Sequence, residues 1–161
     1  MGAGQHHSID PQGPLCYCGL HGCWEILASG TAVAREAIQG LKDYPDSILW
    51  RSSGGDENQI NAEMVTQAAR QGDALAKSVI DKISCYFSKG LANAVLFFVP
   101  DMIVLSGSVM KSADLFLPTV RKTMNEINVM VPSSRVQILP AKLGNLAGIY
   151  GAAYTMTQKV K

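Results

Sequence analysis

Apolar residues recur at intervals of three and four through the middle of the chain. Leu75, Ala76, Val79, Ile80, Ile83, Phe87, Leu91, Ala94, Val95 and Phe98 trace one stripe of a long helix. Asp73 is placed to cap that helix and Pro100 to close it. The stripe widens toward Phe98, which predicts that this end is buried, and Gly90 marks a site of close helix packing. Cys85 falls within the same apolar pattern and reads as a buried free thiol. A shorter helix precedes it, with Asn61 as cap, Met64, Val65, Ala68 and Ala69 on one face, and Gly72 as stop.

Downstream, Met102-Ile103-Val104-Leu105 is a continuous apolar run bounded by Asp101 and by Ser106-Gly107-Ser108. It reads as a buried parallel strand, and its C-terminal turn is where ligands bind in open α/β sheets. Leu115 to Asn128 predicts a helix, with Pro118 tolerated near its first turn. Arg135 to Leu139 alternates as a second strand, and Lys142 to Asn145 is a turn. Leu146 to Thr157 is a last helix whose Ala147, Gly148, Gly151, Ala152 and Ala153 give it a very small face.

Upstream, Glu25 to Ala37 reads as a helix, with Gly30 as its weak point and Gly40 as its stop. Asp43 to Gln59 is rich in turn formers and reads as a surface excursion with a short turn around Ile48-Leu49-Trp50. Trp50 either packs locally, forms a lid or meets a partner. The order loop, helices, strand, helix, strand, helix is an α/β pattern with right-handed crossovers. Two strands make a thin sheet, so a third is expected within the first fifteen residues or in chain preceding Met1.

Composition narrows this little. The 161 residues are one domain or slightly more, 47% hydrophobic, with a formal charge of +1. That charge gives no reason to expect nucleic acid or a membrane surface as partner. The apolar run from Ala92 to Val99 contains Asn93 and falls far short of the roughly 20 residues that span a bilayer. No membrane contact and a cytoplasmic location are expected.

The chemistry concentrates in Cys16-Tyr17-Cys18-Gly19-Leu20-His21-Gly22-Cys23-Trp24-Glu25. One residue separates Cys16 from Cys18, and Gly19 and Gly22 can supply the positive φ that curls Cys23 back to the same point. Thiolate sulfur suits zinc, and a structural zinc site takes four ligands in a tetrahedron. The fourth ligand is expected to be a histidine. His6 and His7 lie upstream and His21 inside the cluster. A disulfide or three unrelated thiols is the alternative, but Cys16 and Cys18 are poorly spaced to pair and no secretory signal precedes them. The loop from His7 to Leu15, with Pro11, Gly13 and Pro14, reads as extended.

This stretch resembles the signature of the ROK family of repressors, open reading frames and sugar kinases, in which a histidine precedes C-x-C-G-x-x-G-C-x-E. His6 stands at the family's spacing from Cys16, and Ser8 to Leu15 between them is also similar. Glu25-Ile26-Leu27-Ala28-Ser29-Gly30-Thr31-Ala32, Pro100 to Gly107 and Leu143 to Ala153 extend the likeness over nearly the whole chain. The resemblance implies zinc held by His6, Cys16, Cys18 and Cys23. It also implies an α/β fold, the C-terminal lobe of an actin-like, ribonuclease-H-like sugar kinase with a zinc-bound loop at its N-terminal end. Residues 1–24 would be the zinc loop region and residues 25–161 the α/β lobe.

By the same resemblance, His6 and Glu25 would contact a sugar, and Ser106 and Gly107 would lie near the adenine end of an ATP site. Read without it, Glu25 is a first-turn acid favoured by the helix dipole, and Gly107 ends a strand. The family glutamate three residues before the histidine is Ala3 here. Nor does the sequence contain the D-x-G-x-T phosphate turn or a matching catalytic aspartate; Asp10 and Asp56 lack the right surroundings.

The resemblance implies ATP-dependent phosphorylation of a hexose or N-acetylated amino sugar, with Mg²⁺ in the complete kinase. This chain alone would be inactive, because the N-terminal lobe with the catalytic aspartate is missing. A homodimer through the apolar helices is also implied. The alternatives are the effector-sensing half of a sugar-responsive repressor, reaching nucleic acid only through a separate upstream domain, and a non-catalytic zinc-stabilised module.

Overall fold

The computed structural model describes residues 3–107, 110, 112–127 and 135–159. Its spine is the long helix expected from the apolar stripe, α5 in chain order, Ala74–Phe98. Asp73 begins it, accepting a hydrogen bond from the Ala76 amide at 2.8 Å. The same carboxylate takes the Ile48 amide at 2.8 Å, so one cap also fixes α3, Ile48–Ser52. That short helix sits where a turn around Ile48-Leu49-Trp50 is expected; Leu49 is buried and Trp50 is half exposed. α4, Ala62–Arg70, starts at the expected cap, Asn61, whose side-chain oxygen receives the Glu63 and Met64 amides.

The helix expected over Glu25 to Ala37 is two helices, α1, Trp24–Ala28, and α2, Gly30–Gly40. The break is Ser29, which is extended and offers its hydroxyl oxygen to the Ala32 amide. A capping serine ahead of Gly30 starts a new helix more readily than that pair continues an old one.

α5 divides the core. Its first half packs with α2, α4 and Leu49 of α3 around Val65, Leu75 and Val79. Its second half packs Leu91, Ala92 and Val95 against Leu117, Val120 and Met124 of α6, Ala113–Ile127. α6 starts two residues before the expected Leu115, which moves Pro118 into its second turn. The expected last residue, Asn128, lies outside the described residues.

The strands β1, Met102–Leu105, and β2, Gln137–Pro140, pair in parallel, with Ile103 opposite Ile138. α6 is the crossover between them. The α/β class therefore holds, with a two-stranded sheet among the described residues. Residues 3–15 add no strand to it; among them Ser8 and Leu15 make isolated antiparallel bridges to Cys23 and His21.

Three burial expectations fail. The C-terminal end of α5 is open, with Phe97 and Phe98 each 79% exposed. Val99 ends it in the left-handed region at φ 42°, an unusual conformation for a β-branched residue. β1 is half-buried on one face only: Ile103 and Leu105 turn inward, while Met102 and Val104 are exposed. Cys85 is exposed, and Ser84 and Ser88 take the buried positions beside it. Their hydroxyls donate to the carbonyls of Ile80 and Ser84, so they enter the core satisfied. The last helix, α7, Ala147–Lys159, forms as expected but presents Ile149, Tyr150, Tyr154 and Met156 to solvent. Among the described residues no helix is long and apolar enough to cross a membrane.

Candidate metal centre

His6 ends a 3₁₀ turn, Ala3–His6, and the three cysteines lie on a tight knuckle that folds back onto it. Within the knuckle the Cys16 amide donates to the Leu20 carbonyl at 2.8 Å and the Gly19 amide to the Cys16 carbonyl at 2.9 Å. Gly19 and Gly22 take φ of 91° and 58°, as the curling chain requires. Gly22 has a second reason to lack a side chain, since a Cβ there would collide with the Asp10 carbonyl. Its own carbonyl accepts the Ile9 amide at 2.9 Å, which ties the extended loop to the knuckle.

The result gathers the expected residues. One ligand atom from each of His6, Cys16, Cys18 and Cys23 lies within 4.8 Å of all the others. His6 Nδ1 is 3.6 Å from Cys16 Sγ, and Cys18 Sγ is 3.4 Å from Cys23 Sγ. The sulfur separation is far beyond the ~2.05 Å of a disulfide but suits two thiolates on one ion with bonds of about 2.3 Å. Cys16 and Cys23 are buried, Cys18 is exposed and His6 half-buried. This donor set of one nitrogen and three sulfurs is the soft, tetrahedral kind that could hold a zinc-like ion.

The electrostatics of the thiols agree. Hydrogen bonding from the Leu20 backbone and from the neighbouring thiols pulls the Cys18 pKa down. Burial, then the crowding of Cys18 and Cys16, pushes the Cys23 pKa up to about 12. Without a cation the cluster favours one thiolate and resists the next, and a divalent ion between them reverses that resistance.

The knuckle is anchored to the spine through Trp24, the first residue of α1. Its amide donates to the His7 carbonyl at 3.0 Å. Its ring packs between His7 and Phe87, with centroids 5.6 and 5.5 Å away. His7 is committed elsewhere, its Nδ1 bonded to the Gly4 carbonyl at 2.6 Å. That separates it from His6 structurally.

Glu25 follows in the first turn of α1, half-buried. Ser106 and Gly107 belong to a different part of the fold, the turn after β1. Gly107 has φ 113° and its carbonyl accepts the Met110 amide, while Ser106 is exposed. A cavity of about 340 Å³ is lined by Ala28, Thr66, Ser84, Phe87, Ser112 and Phe116. Asp10 and Asp56 are engaged locally. Asp10 accepts the Gln12 amide, and Asp56 accepts from Asn58, which holds its carboxyl below the usual range. Tyr17 is the residue that sequence reasoning passes over: its hydroxyl lies 2.9 Å from His6 Nε2. An aromatic phenol between two metal-spaced cysteines is the one signal that points to it.

The ROK family model matches residues 2–159. Glucokinase of Thermotoga maritima is 28% identical over 96% of this chain and 49% of its own length. The Escherichia coli K12 transcriptional repressor Mlc is 28% identical over 92% of this chain and 35% of its own length. Among solved structures, a ROK family glucokinase from Streptomyces griseus, in complex with glucose and AMPPNP, superposes with a TM-score of 0.83. It is 33% identical and covers 94% of this chain and 49% of that one. The chain thus spans about half the length of the glucokinases it matches. Motif, fold and metal-spaced cluster agree with that match over nearly every residue, and the chain belongs to the ROK family.

Proposed function

We propose that this chain is the C-terminal lobe of a ROK-type sugar kinase, with the actin-like, ribonuclease-H-like fold of such enzymes. The complete enzyme transfers a phosphoryl group from ATP, with Mg²⁺, to a hydroxyl of a hexose or N-acetylated amino sugar. The observation that carries this is the TM-score of 0.83 to a glucokinase holding glucose and AMPPNP.

Zinc at His6, Cys16, Cys18 and Cys23 is structural in this reading, because four protein ligands leave no open position for catalysis. When bound, the ion supplies positive charge that keeps the thiols ionised and the knuckle closed. The chain's own residues do the recognition. Glu25, fixed behind the knuckle, accepts hydrogen bonds from sugar hydroxyls. His6 Nε2, the ring nitrogen turned away from the cysteines, faces the sugar, and a sugar hydroxyl takes over there from the Tyr17 hydroxyl that meets it in this structure. Ser106 and Gly107, in the turn after β1, flank the nucleotide.

Phosphoryl transfer also needs a carboxylate to orient the accepting hydroxyl and donors for the phosphates. The D-x-G-x-T turn and an aspartate in matching surroundings are not in these 161 residues, so this chain alone does not turn over substrate. The partner that completes it is an N-terminal lobe. Exposed Phe97, Phe98, Val104 and Tyr154 are apolar surface available to that lobe or to a second copy in a homodimer.

The similarity to Mlc favours one further reading, the effector-sensing half of a repressor whose DNA-reading domain is separate. Sequencing the gene upstream of the Met1 codon discriminates. An open frame carrying D-x-G-x-T supports the kinase, and one encoding a winged helix supports the repressor. A stop codon there leaves a non-catalytic, zinc-stabilised module.

A further inference from the structure

We propose that the Tyr17 hydroxyl positions His6 for metal binding by holding the imidazole with Nδ1 toward the cysteines. The proposal rests on reading His6, Cys16, Cys18 and Cys23 as a metal site. An imidazole that gives its Nδ1 lone pair to a metal carries its proton on Nε2, and that N–H needs an acceptor. Ligating histidines commonly satisfy it with a carboxylate or a carbonyl, which fixes the tautomer and the ring orientation. Here Nδ1 faces Cys16 Sγ at 3.6 Å and Nε2 faces Tyr17 Oη at 2.9 Å, with the two rings edge-on, 4.8 Å apart and 80° between planes.

Three observations argue that this contact is more than packing. Tyr17 is 72% exposed, so burial of its ring does not hold it over His6. It is the single residue between Cys16 and Cys18, so the same short link that places two sulfurs also places the hydroxyl. The adjacent His7 has its Nδ1 on the Gly4 carbonyl and its ring against Trp24, so the two histidines are sorted by different partners.

Tyr17→Phe keeps the ring and removes the oxygen. Zn²⁺ affinity is measured by competition with a colorimetric chelator. The ligand field is read from the visible spectrum of Co²⁺ bound to the same site, alongside the melting temperature of the metal-free chain. The expected result is Zn²⁺ binding weaker by about 10- to 100-fold and altered Co²⁺ bands, with the metal-free melt unmoved. Zn²⁺ affinity within threefold of the parent and an unchanged Co²⁺ spectrum would overturn the positioning role while leaving the metal site intact. A drop in metal-free stability large enough to explain the lost affinity would overturn it too. A parent chain that binds neither ion removes the metal-site reading and this inference together.

Discussion

Trp24 and Gly90 occupy complementary halves of one contact: a Cβ built on Gly90 would fall inside the Trp24 indole. The missing side chain on α5 lets the first residue of α1 lie flat on the spine, and α1 carries Cys23 at its N-cap. Gly90→Ala is therefore expected to cost about 1–3 kcal/mol by overpacking, although alanine is the better helix former. Denaturant unfolding measures it, and an unchanged or raised midpoint would refute this account of the contact.

Much of this was legible in advance. Asn61 and Asp73 announced their helices because a side-chain oxygen ahead of an apolar period has one obvious use. Gly90 is legible for the opposite reason: inside a long helix a residue without a side chain has its use in a close approach. The ends of elements were harder. Nothing in the period of α5 says whether a partner covers Phe97 and Phe98, since a stripe records the need for burial and not its fulfilment. The apolar pattern around Cys85 predicts its burial, but the helix turns Cys85 outward and its serine neighbours inward. Ser84 and Ser88 meet their hydrogen-bonding needs on their own helix and so face inward.

Metal removal tests the cluster directly. Cys18→Ser deletes the most exposed ligand, and chelation empties the site altogether. Each is expected to lower the melting temperature by more than about 5 °C, because structural metal adds its binding free energy to folding. A melt unmoved by chelator counts against the site.

Acid should empty it as well. The Cys23 thiol is held above its ordinary range by burial, so the metal must displace a tightly held proton there. Protons and metal compete for the same sulfurs, so apparent Zn²⁺ affinity is expected to rise with pH and to fall steadily as pH drops. Isothermal titration in buffers of different ionisation enthalpy would register proton release on binding. Affinity independent of pH between about 6 and 8 would contradict thiolate ligation.

The sugar-contact role proposed for Glu25 separates from any role in the fold. In the chain completed by an N-terminal lobe, Glu25→Gln is expected to weaken hexose binding by roughly 10- to 100-fold. That is the worth of a hydrogen bond to a charged acceptor. Calorimetry reads the affinity and circular dichroism checks the fold. An unchanged affinity would leave Glu25 as a helix-dipole residue only.

α7 has a meaning beyond its exposed side chains. Among the described residues, α7 packs chiefly on the turn that precedes it, and a helix of 13 residues so placed is close to the coil transition in water. Its backbone amides should trade hydrogen with solvent nearly as fast as an unfolded peptide, while those of buried α5 hold theirs. Whatever covers Ile149 and Tyr154 also stabilises that helix. Hydrogen exchange in α7 is thus expected to report assembly, fast while its apolar surface is open and slow once that surface is covered.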